Sequence, residues 1–341
     1  MIQVQSDVGL REGDSMPRVT VVIPNWNGLV HLPECLEALA CQTFTDFAIV
    51  VVDNASSDGS LAWLASERPD VTIIRRQDNG GFAKAVNEGI RASVSPMVAL
   101  LNNDTVADPR WLEELVAALE SRSAYDIAAS LMLFYDRPDL VNAAGDVFRV
   151  RHLNAANRGF GDPADGYDAP RRVLGACAGA ALYRRQVFDD VGLFDEDFFL
   201  MHEDTDFNIR ALVLGKRCLY VPTARIRHKL SATIRTMPSA ELQRMRIRNE
   251  GIVVGKDLPW ELLALVPFVR LWRLALATVF MKPSHWPSAR KRLRRVRRNA
   301  RAWNEGVRIG LSRRGELWPR RRASRFEIVR WLLKGDGPTS F

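Results

Sequence analysis

Residues 47–60 read Phe47-Ala-Ile-Val-Val-Val-Asp53-Asn-Ala-Ser-Ser-Asp-Gly-Ser60. An apolar run rich in Val and Ile ends on one carboxylate and then on turn-forming residues. A continuous rather than alternating apolar run marks a strand buried on both faces, as in a parallel sheet. The same grammar repeats outward. VTVVIP (19–24) stops at Pro24 and opens into Asn25-Trp26-Asn27-Gly28; VTIIR (71–75) leads to Asp78-Asn79-Gly80-Gly81; MVALLN (97–102) ends at Asn103-Asp104. Helical patterns at about 31–41, 59–67 and 82–93 separate these runs. The expected fold is α/β, a mostly parallel sheet flanked by helices, with right-handed crossovers.

The polar residues collect at strand ends: Asn25 and Asn27, then Asp53, then Asn102 to Asp104. Any one of them is explained by βα-turn chemistry. Three in succession point to a ligand crevice, because open α/β sheets bind ligands outside the carboxyl ends of their strands. The usual phosphate loop GxxxxGK[ST] and the dinucleotide GxGxxG after the first strand are both missing, as are HExxH and GxSxG. What remains is a set of carboxylates and amides at a sheet edge.

Further along, 125–172 is rich in Asp, Gly, Pro and Asn and reads as one strand (127–133) followed by a long functional loop. A small-residue strand follows at 175–183, then FDEDFFLMHEDTDFNIRALVLG (194–215), in which Glu203, Asp204 and Asp206 open a helix running to Gly215. Three acids beside His202 exceed what capping a helix requires. KRCLYVP (216–222) is a closing strand, with His228 just beyond it.

Of 341 residues, 47% are hydrophobic and 26% charged, which excludes a mainly disordered chain. Charge is split: 21 Lys/Arg against 6 Asp/Glu from Lys256 onward, a net of +15, and −7 before it. The first 17 residues are polar and read as a flexible leader. With four cysteines and no CxxC pair, a reducing cytoplasmic setting is expected.

VVIPNWNG, VVDNASSDGS, DNGGFAKAVNEGI, LLNNDTV, HEDTDFNIR and the later His228, in this order, resemble family 2 glycosyltransferases of the GT-A fold, most closely their bacterial rhamnosyltransferase-like branch. The resemblance covers roughly residues 18–255. It implies an inverting hexosyltransferase using a nucleotide-sugar donor. By that resemblance Asp53 reads the nucleoside with help from Pro24, Asn25 and Asn27, and Asn79 and Gly81 line the nucleoside side. Asn102-Asn103-Asp104 corresponds to the DxD element, so Asn103 and Asp104 face the diphosphate. With Asn102 in place of the first acid, Asp104 is the carboxylate ligand of a divalent cation. His228 completes the metal shell, and oxygen ligands with one imidazole suit Mg²⁺ or Mn²⁺. Asp204 is the general base, with Glu203 as the secondary candidate.

Residues 256–341 form an expected basic helical region. Within it, 258–281 is apolar but broken by Glu261, Pro267, Arg270 and Arg273, too interrupted to span a bilayer. RKRLRRVRR (290–298) holds seven basic residues in nine. An apolar amphipathic segment beside a polybasic cluster reads as attachment to an anionic membrane surface through residues 258–325, its arginines toward headgroups. The alternative for 258–281 is a helix packed on the catalytic domain. The expected partners are thus a nucleotide-sugar donor (dTDP-rhamnose first, a UDP-sugar second), a lipid-linked or cell-surface glycan acceptor, and the inner membrane face. A non-catalytic nucleotide-sugar-binding relative is the rival reading. Nucleic-acid binding through the Arg-rich tail is set aside because the first part is acidic.

Overall fold

The apolar runs become a central sheet whose strands are buried on both faces. The computed structural model describes residues 3–5, 16–149, 153–230, 238–279 and 289–334. The first half of the sheet contains β1 (Gln3–Gln5), β2 (Val19–Asn25), β3 (Phe47–Asp53), β4 (Thr72–Arg75) and β5 (Met97–Leu101). Helices α1 (Leu32–Ala40), α2 (Ser60–Glu67) and α3 (Gly81–Ala92) connect them. Side chains alternate between two apolar layers: Val22, Val50 and Val52 enter one, and Val21, Ile23 and Val51 the other. Strands β4, β3, β2 and β5 are mutually parallel, and their register sets Asn25 beside Asp53. Within the expected leader, Gln3–Gln5 pairs antiparallel with β4 as an edge strand.

The second half departs from the expected parallel sheet. It comprises β6 (Thr105–Ala107), β7 (Ile127–Phe134), β8 (Val141–Ala143), β9 (Asp146–Arg149), β10 (Asn154–Asn157), β11 (Arg171–Val173), β12 (Ala180–Arg184) and β13 (Cys218–His228), with helices α4 (Trp111–Glu120), α5 (Arg185–Val191) and α6 (Glu203–Val213). The sheet order is β1-β4-β3-β2-β5-β12-β7-β13-β11, with β12 antiparallel to both neighbours and β13 parallel to β7. The fold is therefore mixed α/β. The stretch expected as a long loop, 125–172, instead contributes four further short strands. Within them Val141, Ala143, Val147 and Phe148 are buried.

The expected boundary at residue 255 has a definite place in the fold. It falls inside the last turn of α7 (Ser239–Asp257), which packs lengthwise against α10 (Ala289–Leu317). The two backbones meet at glycines: a Cβ on Gly306 would lie 2.0 Å from the Arg248 carbonyl oxygen, and one on Gly310 2.3 Å from that of Ile252. Trp303 on α10 and Ile328, Trp331 and Leu332 on α11 (Arg325–Lys334) then join the apolar layer beneath the sheet. The basic region and the α/β region share one core.

The expected helix 258–281 divides into α8 (Trp260–Leu263) and α9 (Val266–Val279). Leu258, Leu262 and Val266 are packed inward, whereas Trp260, Phe268, Leu271 and Trp272 are exposed. Arg270 does not turn outward as expected; its guanidinium stacks 4.1 Å from the Trp303 ring centroid. The Arg273 side chain and residues 280–288 lie outside the described set. Among the described residues no helix is long and apolar enough to cross a membrane.

Candidate functional site

The carboxyl ends of β2, β3 and β5 converge on a cleft of about 240 Å³. Pro24, Asn25, Asn79, Gly81, Asn102, Asn103, Asp104 and His228, all singled out in the sequence, line it. Asn103 Nδ2 donates to Asn25 Oδ1 at 2.7 Å, and Asn25 Nδ2 donates to Asp53 Oδ1 at 2.9 Å, forming one amide–carboxylate chain across three strand ends. Asp53 itself is fully buried and does not line the cleft. Its second oxygen accepts the Ser56 N–H at 2.9 Å, so it orients the cleft wall from behind. Asn27 also lies off the cleft: its Oδ1 accepts the Ser57 N–H at 2.8 Å and ties two loops together.

Gly81 has a structural reason to be glycine. Its φ is +81°, and a Cβ there would lie 2.1 Å from the Phe199 carbonyl oxygen. That close approach lets the segment carrying Phe199 and Leu200 form one side of the cleft, fastened by the Phe82 N–H to Phe199 O bond of 2.9 Å.

Opposite, the pairing of β6 with β13 places His228 across from Thr105 and beside Asp104. His228 Nε2 is 3.1 Å from Asp104 Oδ1, and Nδ1 is 3.0 Å from Asn142 Oδ1 on β8. With the Asn142 oxygen accepting, Nδ1 carries the hydrogen and Nε2 presents its lone pair toward the carboxylate. Two acceptors then face one point, which suits a shared cation. Among the described residues no third His, Cys, Asp or Glu joins them. Further ligands to a cation there would come from a bound diphosphate or water.

Three residues beyond Leu200, α6 begins with Glu203 and Asp204. Met201 and His202 before it have φ of 69° and 70°. Left-handed conformations at two non-glycine residues cost of order 1–3 kcal/mol each and persist only where the surroundings hold them. The hold is Asn249 of α7, fully buried, whose Nδ2 donates to the Leu200 and Met201 carbonyls at 3.1 and 2.9 Å. Asp204 is half-buried, and its Oδ1 accepts the Thr205 N–H at 2.7 Å. Desolvation raises its pKa, and burial together with the Asp204 charge pushes Glu203 up to about 8. Glu203 Oε2 is buried and has no partner, as a carboxyl that keeps its proton can tolerate.

A third acid was not anticipated. Asp146 on β9 is 2% exposed; its Oδ2 accepts Asn208 Nδ2 at 2.9 Å and its Oδ1 has no partner. Burial, then the Asp204 charge, drives its carboxyl well above the ordinary range. Asn142 and Asp146 carried no sequence signal, since both fall in the stretch read as loop. Asn54, buried at the cleft and donating to Gly81 O at 3.1 Å, adjoins Asp53 and was legible.

Over 215 residues the chain is 25% identical to the Bacillus subtilis glycosyltransferase YwdF, covering 63% of this chain and 75% of that one. Over 199 residues it is 28% identical to a PGL/p-HBAD biosynthesis glycosyltransferase of Mycobacterium tuberculosis, covering 57% and 69%. It spans only 46% of the B. subtilis glycosyltransferase EpsE, to which it is 27% identical. In structure it is similar to GalNAc-T7, solved with UDP, GalNAc and Mn²⁺ (TM-score 0.58, 17% identity, 71% of this chain and 48% of that one). It is also similar to S. aureus TarS 1–349, solved with UDP (TM-score 0.53, 16% identity, 89% and 90%). These likenesses establish the GT-A-like fold. A family model described as glycosyl transferase family 2 matches residues 20–192, just over half of the sequence, including the carboxyl ends of β2, β3 and β5: the chain belongs to glycosyl transferase family 2.

Proposed function

We propose that the chain transfers a sugar from a nucleotide-diphosphate donor to an acceptor hydroxyl with inversion. The single observation carrying this reading is the meeting of an amide-lined cleft, the facing Asp104–His228 pair and the acid-headed helix α6 around the Phe199–Leu200 segment. In this reading Asn25, Asn79 and Gly81 hold the nucleoside, and Asp53 fixes Asn25. Asn103 and Asp104 face the diphosphate, and Asp104 with His228 Nε2 would hold Mg²⁺ or Mn²⁺. Such a cation supplies positive charge that stabilises the departing diphosphate. Asn142 keeps the His228 tautomer suited to that task.

Inversion requires the acceptor hydroxyl to attack the anomeric carbon from the face opposite the leaving group. Asp204 takes the hydroxyl proton, a contribution of about 10²–10⁴-fold in rate. Its raised pKa makes it a better base than an exposed aspartate, while Glu203, pushed up to about 8, adds no competing charge at neutral pH. A rhamnosyl donor is kept as the first proposal. A UDP-sugar is the second, favoured by the nucleotide in both structural relatives. Release of nucleoside diphosphate from dTDP-rhamnose and a panel of UDP-sugars, with and without a polyprenyl-linked acceptor, tests the reading. Turnover of no donor under any metal condition overturns it in favour of the non-catalytic relative.

We also propose that the acceptor is lipid-linked or a cell-surface glycan and that the enzyme works at the inner face of the membrane. The exposed face of Trp260, Phe268, Leu271 and Trp272, next to the basic helix α10, supports this. Apolar insertion plus a polybasic cluster provides the two signals that stable attachment requires.

A further inference from the structure

A second cavity, of about 590 Å³, lies on the other side of the strained segment from the donor cleft. Leu200 lines the donor cleft; the next residue, Met201, lines this one. Its other walls come from α7, with Leu242, Gln243 and Arg246, and from α10, with Arg298. Its size falls in the range of small-molecule sites. No carboxylate is among its described lining residues, so its charge comes from two guanidinium groups over an apolar floor of Met201 and Leu242.

The arginines are held for use. Arg246 Nε pairs with the buried Glu250 at 3.2 Å while its side chain remains 52% exposed, so one edge is anchored and the other faces solvent. Arg298 Nη2 reaches Gln243 Oε1 at 3.5 Å, a loose contact that a stronger acceptor displaces. Gly306 and Gly310 bring α10 onto α7 so closely that the two arginine-bearing helices cannot shift independently. Asn249, three residues after Arg246, clasps the Leu200 and Met201 carbonyls. The cavity is thus mechanically continuous with the turn that presents Asp204. His202, in that turn, has its pKa drawn down to about 4 by burial and by Arg246, so it stays neutral and leaves the cavity's positive charge to the arginines.

We infer that this cavity binds the phosphate or diphosphate group of the acceptor, clamped by Arg246 and Arg298, with the adjoining apolar part of the molecule on Met201 and Leu242. Planar guanidinium groups bind phosphate oxygens in pairs, which gives orientation as well as affinity. Holding the acceptor by its anionic end next to the Met201–Asp204 turn brings a hydroxyl of the attached sugar toward the base. The inference rests on the transferase reading above and assigns that acceptor its chemical class.

The test is binding of farnesyl diphosphate, inorganic pyrophosphate and farnesol to the full chain, with the donor cleft saturated by UDP or dTDP. Arg246→Gln, Arg298→Gln, the double variant and Arg298→Glu are compared, and thermal melting checks their folding. Farnesyl diphosphate is expected to bind, each single variant to weaken it about 5–10-fold, and the double variant at least 30-fold. Arg298→Glu, an exposed change that the fold tolerates, is expected to abolish it. Tighter binding of farnesyl diphosphate than of pyrophosphate identifies a lipid source; equal binding identifies a soluble phosphate. Both support the clamp. Farnesol binding as tightly as its diphosphate, or a folded double variant with unchanged affinity, overturns it. Nucleotide binding is read in the same samples. If it persists while the clamp fails, the donor cleft stands alone; if no sample binds nucleotide, the donor reading falls and this inference with it.

Discussion

The ammonium of Lys256 lies 2.5 Å from Oδ1 of Asp206, a residue two positions beyond the candidate base Asp204. The same ammonium is 2.5 Å from Asp195 Oδ2, and Asp206 also meets Arg210 Nε at 2.8 Å. The last turn of α7, where sequence composition changes from acidic to basic, is therefore bolted to α6, the helix that begins with Glu203 and Asp204.

Lys256→Met is expected to destabilise the chain by about 3–5 kcal/mol, because it leaves carboxylates buried without their partner. Urea unfolding measures this. The pH dependence has a definite sign. Arg210 and Lys256 hold Asp206 down to about 2, overcoming its burial, whereas an unfolded aspartate titrates near 3.9. Stability from this group is complete above about pH 4 and is lost as pH falls toward 2. In the Met variant that acid limb should shrink.

Asp204→Asn should lower kcat by about 10²–10⁴-fold while nucleotide binding changes little, since the amide keeps the shape and loses the base. Glu203→Gln should retain activity within several-fold, because Glu203, pushed up to about 8, already carries a proton at neutral pH. The wild-type kcat–pH profile should rise through an apparent pKa above the ordinary aspartate value. Loss of activity in Glu203→Gln with retention in Asp204→Asn reassigns the base.

Asp146→Asn should be nearly neutral in stability, since burial disfavours the charge of this carboxyl and an amide of the same shape keeps an acceptor for Asn208. Asp146→Ala removes the acceptor for Asn208 and should cost about 1–3 kcal/mol. Equal destabilisation by both changes would show that the native group is charged.

Asp104→Ala and His228→Ala should each weaken joint binding of Mn²⁺ and nucleoside diphosphate, with excess EDTA mimicking both. Asn142→Leu, which leaves the ligands intact but removes the partner of Nδ1, should weaken it by about 10–100-fold. Calorimetry with Mn²⁺ and UDP reads all three. Full turnover in EDTA would move the work of neutralising the diphosphate to basic side chains.

Truncation after residue 255 should yield an unfolded or insoluble product, because it strips Trp303, Ile328 and Trp331 from the core. Gly310→Leu should lower the melting temperature sharply, its side chain colliding with the Ile252 carbonyl, whereas Gly315→Leu, with nothing within 4 Å, should not. Phe268→Asp with Trp272→Asp should preserve folding and reduce flotation with anionic liposomes.

Much of this is readable from sequence. The parallel strands and the strand-end residues follow from local patterns, and eight of the residues singled out line the cleft. The short strands at 141–157 are not legible, because runs of three or four residues such as Val141-Asn142-Ala143 are too short to show a period. The charge of the tail masks its packing, although Gly251 and Gly255, then Gly306 and Gly310, four apart on each helix, form a close-packing pattern.

By itself the sequence determined the strands, the turns and the types of groups offered to a ligand, because hydrophobic period and turn chemistry act between residues near in the chain. Only the tertiary structure decided that Asp53 supports rather than lines the cleft. It also decided that His228 meets Asp104 across 124 residues, and that the basic helices contribute Trp303, Ile328 and Trp331 to the core. Those outcomes depend on strand order and on which faces find each other, and such contacts are fixed when apolar surfaces from distant segments close together and exclude water.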